Sequence, residues 1–140
     1  MTVYAESSAV LAWLLDEPTS AAVGSVLDDD EVVTSALTLV ECDRVLLRTA
    51  ATHTAAAPKV AVLRRILGET AAMWSIQEID ASTIERARQP FPDDAIRALD
   101  AIHLASALTA RSAIGDLDVL SLDDRFRLNA AALGFRVLPE

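Results

Sequence analysis

The chain has one cysteine, Cys42, in 140 residues. That excludes a disulfide framework and a cysteine-built metal cluster, and Cys42 sits inside an apolar helical pattern, which argues against a redox role. A reducing compartment, the cytoplasm, is the expectation. Aromatic residues are scarce at 4%, whereas hydrophobic residues reach 52%, mostly alanine, leucine and valine. This is the composition of packed helices and not of a disordered chain. No run of about 18 uncharged apolar residues occurs, so no membrane-spanning helix is expected. The opening Thr2-Val3-Tyr4-Ala5, followed at once by Glu6, lacks the basic start and long apolar core of a signal peptide.

Lysine is nearly absent as well: Lys59 stands alone among 12 basic residues, against 21 acidic ones, for a formal net charge of −9. Such a balance opposes a broad phosphate-binding surface, because nucleic-acid affinity is built largely from basic side chains. Arginine supplies the remaining basic residues and is the better bidentate phosphate ligand, so a local basic rim stays open.

At this length the chain is read as a single domain, 1–140, able to bury roughly two-thirds of its unfolded surface. Short apolar or β-branched runs bounded by breakers predict strands at about 2–6, 31–35, 74–79, 117–121 and 134–138. Helical patterns fill the gaps: Ser8 to Leu15, a helix from near Pro18 to the acidic run Asp28-Asp29-Asp30-Glu31, Leu37 to Thr52, Pro58 to Ala71, Ala81 to Arg88, Ile96 to Arg111, and Asp124 to Leu133. Gln89 to Asp94 reads as a loop. Strand alternating with helix argues for βαβ units: an α/β fold with a mostly parallel sheet of about five strands and helices on both faces. Trp13, Leu14, Val60, Leu63, Ile66 and Leu67 are more apolar surface than one small core readily hides, so an exposed apolar groove or dimer face is expected on the helices at 8–15 and 37–70.

Four carboxylates fall at strand ends or in the first turns of helices: Glu6, Glu41, Asp100 and Asp123. In a parallel sheet all can converge at the carboxyl edge, where open α/β sheets place their ligands, and the natural occupant of such a cluster is a hard divalent cation. Each also has a plainer reading. Glu6 suits a helix N-terminus by charge alone. Glu41 completes a Thr-x-x-Glu capping box with Thr38, unless Ser35 caps the helix instead. Asp100 has Arg97 and His103 as helical neighbours three residues away, yet aspartate on an apolar helix interior asks for a reason. Asp123 and Asp124 compete for one N-cap; chemistry is assigned to Asp123 and capping to Asp124. His103 reads as a satisfied partner rather than a metal ligand. Asp28, Asp29, Asp30, Glu31, Asp93, Asp94, Asp116 and Asp118 read as solvated loop charges.

Taken together and in order, these positions resemble the PIN-domain family, specifically the VapC-like toxins of bacterial toxin–antitoxin pairs. The similarity rests on Leu99-Asp100-Ala101-Ile102-His103-Leu104-Ala105-Ser106-Ala107, on Val119-Leu120-Ser121-Leu122-Asp123 with Phe126 and Ala131-Ala132-Leu133-Gly134 after it, and on Tyr4-Ala5-Glu6-Ser7-Ser8-Ala9-Val10 and Leu37-Thr38-Leu39-Val40-Glu41. The resemblance implies a Rossmann-like three-layer α/β/α sandwich and a Mg²⁺- or Mn²⁺-dependent endoribonuclease. It also implies a homodimer, neutralised by a small cognate antitoxin. Its acidic site falls on Glu6, Glu41, Asp100 and Asp123, with Ser7 and Ser121 as the small hydroxylated neighbours. One departure is plain: the family's first acid is ordinarily aspartate, and here it is Glu6, whose carboxylate reaches roughly 1.5 Å further from the backbone.

The mechanism expected is in-line attack on phosphorus by water activated through one or two metal ions, since no lysine, cysteine or paired histidine offers a covalent nucleophile. Arg44 and Arg48 follow Glu41 on one helical face and are candidate phosphate contacts, or ordinary solvated charges. A response-regulator receiver domain is a weak rival, because Lys59 does not lie at a late strand end. The stronger rival is a non-catalytic PIN-like module binding protein or RNA.

Overall fold

The computed structural model describes residues 1–140. Strands and helices alternate: β1 (Thr2–Ala5), α1 (Ser7–Leu14), α2 (Ser20–Asp29), β2 (Glu31–Ser35), α3 (Ala36–Thr52), α4 (Ala57–Ala71), β3 (Ser75–Gln77), α5 (Ala81–Ala87), α6 (Ala98–Ile114), β4 (Asp118–Leu120), α7 (Asp124–Ala132) and β5 (Val137–Leu138). The five strands form one sheet in the order β3-β2-β1-β4-β5. Every pairing in it is parallel. Chain order therefore reverses at β1, with β2 and β3 on one side and β4 and β5 on the other. The crevice beyond the carboxyl ends of β1 and β4 is the topological switch point, the place where such sheets bind ligands.

Alternation along the strands divides the core into two layers. Val3 and Ala5 of β1, Val32 of β2 and Leu120 of β4 face helices α1 to α4. Their neighbours Tyr4, Val33 and Val119 face α6 and α7 on the opposite side. Apolar burial on both faces is what a parallel sheet requires. The result is a three-layer α/β/α sandwich.

Several details depart from the expectation drawn from sequence. Asp28 and Asp29 lie inside α2, and Glu31 opens β2. Helix α6 starts at Ala98 because Arg97 stays extended as its N-cap, and it runs on to Ile114, where Gly115 takes a φ of +95° that only glycine adopts without strain. Asp118 is not a loop charge: it is buried at the start of β4 and pairs with Arg136 at 3.6 Å. Asp94 accepts the Phe91 N–H at 2.8 Å and Asp93 the Ala95 N–H at 2.9 Å, so the loop before α6 is pinned by its own carboxylates.

The residues named for the apolar groove turn mostly inward, while an open groove of about 280 Å³ lined by Leu39, Leu67, Ala71, Ala72 and Ile76 remains along α3 and α4. Leu14, Val60 and Leu67 are buried, and Trp13, Leu63 and Ile66 pack partly buried against the same core. The hairpin of α3 and α4 folds its apolar stripe onto α1 and the sheet, so these residues contribute to the core, with Trp13, Leu63 and Ile66 still partly open to solvent.

Candidate active site

β1 ends at Ala5, and its successor Glu6 remains extended (φ −87°, ψ 154°) as the N-cap of α1. The Glu6 backbone N–H donates to the Leu120 carbonyl at 2.9 Å, which joins the ends of β1 and β4. The extra methylene lets its carboxylate fold back over the helix start. Oε1 accepts from Ser7 Oγ at 2.7 Å and from the Ser8 N–H at 3.1 Å. Oε2 accepts from Ser121 Oγ at 2.7 Å and from Ser8 Oγ. Two donors per oxygen saturate a carboxylate, and Glu6 is only 4% exposed. Ser7 and Ser121 are accordingly buried and turned toward Glu6.

Ser35 ends β2 and caps α3 by accepting the Leu37 N–H at 3.1 Å. Thr38 is thus not the cap, and Glu41 on the second turn is released from a capping box. Its partner lies on α6: His103 Nε2 stands 2.5 Å from Glu41 Oε1. His103 is a satisfied partner, as expected, but what it satisfies is one of the candidate acids. Asp123 is the N-cap of α7, with Oδ1 accepting the Phe126 N–H at 2.9 Å, while Asp124 is merely the first helical residue. The division of labour between these two aspartates is therefore the reverse of the one expected on the capping side, since Asp123 itself caps.

Asp100 differs from the other three. It lies in the first turn of α6 and has no serine, histidine or capping partner of the kind that holds Glu6, Glu41 and Asp123. Burial holds its carboxyl above the usual aspartate range, and the negative charges of Asp123 and Glu6 push it further the same way. The Arg97 backbone and His103 offset this only in part.

Asp100, Glu41, Asp123 and Asp124 line one open cavity of about 700 Å³, together with Arg97, Ala98, Leu99, Leu122 and Arg125. Glu6 sits behind it, close enough to be felt by Asp100. Arg44 and Arg48 are exposed on α3 and do not line this cavity. The arginines that do are Arg97 and Arg125, which sequence reading missed. Their adjacency to Asp100 and Asp123 was the available signal. Neither makes an ion pair.

No three His, Cys, Asp or Glu side chains stand close enough to grip one ion. The chemistry of the donors nevertheless suits a hard cation: the cavity's acidic lining is all oxygen, and the charge on Asp100 is uncompensated. A cation there would relieve the repulsion that raises Asp100. Cys42, by contrast, has its thiol pushed up to about 12 by burial and by the neighbouring Glu41 and Glu6, so it is no nucleophile.

A family model described as PIN domain matches residues 3–132. The chain is 35% identical to "Ribonuclease VapC35" of Mycobacterium tuberculosis, with 97% of this chain and 95% of the relative covered. Among solved structures it is similar to a toxin–antitoxin complex from Klebsiella pneumoniae, with a TM-score of 0.66 at 17% identity over 99% of this chain and 98% of the other. It is likewise similar to M. tuberculosis VapC20, described as a Sarcin-Ricin loop cleaving toxin, with a TM-score of 0.61 at 18% identity over 95% of each chain. VapBC2 from Rickettsia felis, bound to a DNA fragment from its promoter, gives a TM-score of 0.62 at 10% identity over 98% of this chain and 97% of the other. Fold, cavity and sequence agree, and the chain belongs to the PIN-domain family, among its VapC-like members.

Proposed function

We propose that this protein is a metal-dependent endoribonuclease, the toxin of a toxin–antitoxin pair. The carrying observation is the uncompensated Asp100 carboxylate, raised by burial and by Asp123 and Glu6, on a cavity at the switch point of a chain 35% identical to a named ribonuclease. Asp100, Glu41 and Asp123 would hold Mg²⁺ or Mn²⁺ in part through bound waters, since no three of the acids stand close enough to grip one ion directly, with Glu6 supporting them from behind through the serine-lined end of β1. Bound there, the ion would screen the phosphate and lower the pKa of a water.

The chain's own residues supply the rest. Arg97 and Arg125 take substrate phosphate, their guanidinium forks matching its oxygens. Leu99, exposed on the cavity wall, offers apolar contact to a splayed base. Ser7 and Ser121 act on Glu6 and only through it on the reaction. With Cys42 protonated and His103 committed to Glu41, the attacking group is water. Its oxygen bonds to phosphorus, the bond from phosphorus to the 3′ oxygen breaks, and the products are a 3′-hydroxyl and a 5′-phosphate.

The working setting is the cytoplasm, with a small antitoxin as the cognate partner and a homodimer as the assembly. Relatives seen as toxin–antitoxin complexes support the first partner. RNA is drawn in by the two cavity arginines and not by overall charge, which is −9.

A non-catalytic binding module is favoured by one observation, the full hydrogen-bond saturation of Glu6. Cleavage of total RNA in Mn²⁺, followed by sequencing of RNA 5′ ends, separates the two. Cutting that vanishes in Asp100→Asn supports the nuclease. RNA left intact by wild-type protein that binds it would establish the module.

A further inference from the structure

The geometry points to Tyr4 and His103 as a buried positioning relay that orients the carboxylate of Glu41 on the cavity wall. The inference rests on the reading of Glu41 as part of the metal site, and it adds two residues which that reading does not use.

His103 follows Asp100 by one helical turn on α6 and is 1% exposed. Both ring nitrogens are occupied: Nδ1 lies 2.8 Å from Tyr4 Oη and Nε2 lies 2.5 Å from Glu41 Oε1. The ring's tilt is fixed as well, because Tyr4 and Phe126 meet it edge to face, with centroids 6.1 and 6.5 Å away. An imidazole so held has one degree of freedom left, the nitrogen that carries the proton.

Glu41 settles it. A carboxylate oxygen can only accept, so the contact with Oε1 places an imidazole proton on Nε2. The fully buried Tyr4 hydroxyl then faces Nδ1 as its donor. The chain of contacts runs from Tyr4 to His103 to Glu41. Glu41 makes no other hydrogen bond, so this contact alone orients its carboxylate, holding one oxygen to the protein and leaving the other unengaged on a residue that lines the cavity. One helix, α6, thus carries Asp100 and also the residue that aims the acid of α3. Orienting partners of this kind set ligand geometry in metal sites.

The test uses the full chain with Tyr4→Phe, His103→Leu and His103→Gln. Tyr4→Phe removes one oxygen and keeps the buried ring. Gln offers an amide N–H at about the reach of Nε2. Imidazole ¹⁵N spectra of the metal-free wild type should show an Nε2–H whose proton resonance moves in Glu41→Gln, and Tyr4→Phe should change the Nδ1 signal. Mn²⁺ titration calorimetry should show affinity falling about 10- to 100-fold in Tyr4→Phe and His103→Leu. In RNA cleavage, kcat should fall with KM unchanged, and His103→Gln should recover most of the loss. An Nδ1–H tautomer, a resonance indifferent to Glu41→Gln, or wild-type Mn²⁺ affinity in folded Tyr4→Phe and His103→Leu overturns the relay. A wild type that binds no Mn²⁺ overturns the nuclease reading instead, and the spectra then decide the relay alone.

Discussion

Ser121 Oγ donates to Glu6 Oε2 across 2.7 Å and bridges the carboxyl ends of β4 and β1, 115 residues apart in sequence. An aspartate at position 6 would cap α1 but would not reach as far. The glutamate therefore serves the junction of the two central strands, behind a cavity lined from α3, α6 and the start of α7.

Glu6→Gln should destabilise the fold, because an amide nitrogen cannot accept from the Ser8 and Ser121 hydroxyls that now donate to Oε2. Hydrogen bonds to a buried charged group are worth about 1.5–3 kcal/mol. Urea unfolding should show a loss of that order. Glu6→Asp should lose less, since aspartate is a good N-cap and keeps the Ser8 N–H. Equal stability in all three proteins would remove the bridge from the account.

Asp100→Asn should abolish cleavage and raise the metal-free melting temperature. A carboxyl whose folded pKa is raised binds its proton more tightly in the native state, so its ionisation at neutral pH works against folding. The variant's advantage should accordingly be greatest near pH 7 and should shrink as pH falls through the raised folded pKa toward the unfolded value of about 3.9. Thermal melts of both proteins from pH 7 to 4 check this. An advantage that is absent, or that grows on acidification, would show Asp100 to be held by partners rather than crowded by its neighbours.

Arg125→Ala and Arg97→Ala should raise KM for RNA roughly 10- to 100-fold each, the weight of a lost charge-assisted hydrogen bond to phosphate. Arg44→Ala and Arg48→Ala should do little, since both lie on the exposed face of α3 outside the cavity. Steady-state cleavage at fixed salt compares the four. The opposite ranking would move the phosphate track onto α3.

Periodicity reads the architecture well because its signals are local. β2 runs over 31–35 as expected, and α3 begins after Ser35 because serine in extended conformation is a strong cap. Other features depend on what meets what across the fold. Val60 and Leu67 look like excess apolar surface until α4 is seen to fold back on α3. The Glu41–His103 contact spans 62 residues, and no spacing rule encodes it. Arg97 and Arg125 become candidates only once α6 and α7 are placed beside one cavity. Asp118 looks like a loop charge because its partner Arg136 lies on the far side of α7 in the chain.

Asp123 carries a structural duty and a proposed chemical one, and two substitutions pull them apart. Asn is as good an N-cap as Asp, so Asp123→Asn should keep the Phe126 N–H bonded and leave stability near the wild-type value. It removes the negative charge, so Mn²⁺ affinity and cleavage should fall as they do in Asp100→Asn. Asp123→Ala removes both, and should lose activity together with about 0.5–2 kcal/mol of stability. Metal-free Asp123→Asn should also let the Asp100 carboxyl relax toward its ordinary range, because Asp123 is the largest charge acting on it. That is measurable as a move of the midpoint of the Asp100 carboxyl ¹³C titration to lower pH. Full activity in Asp123→Asn would leave this residue a cap alone, and the site would rest on Asp100 and Glu41.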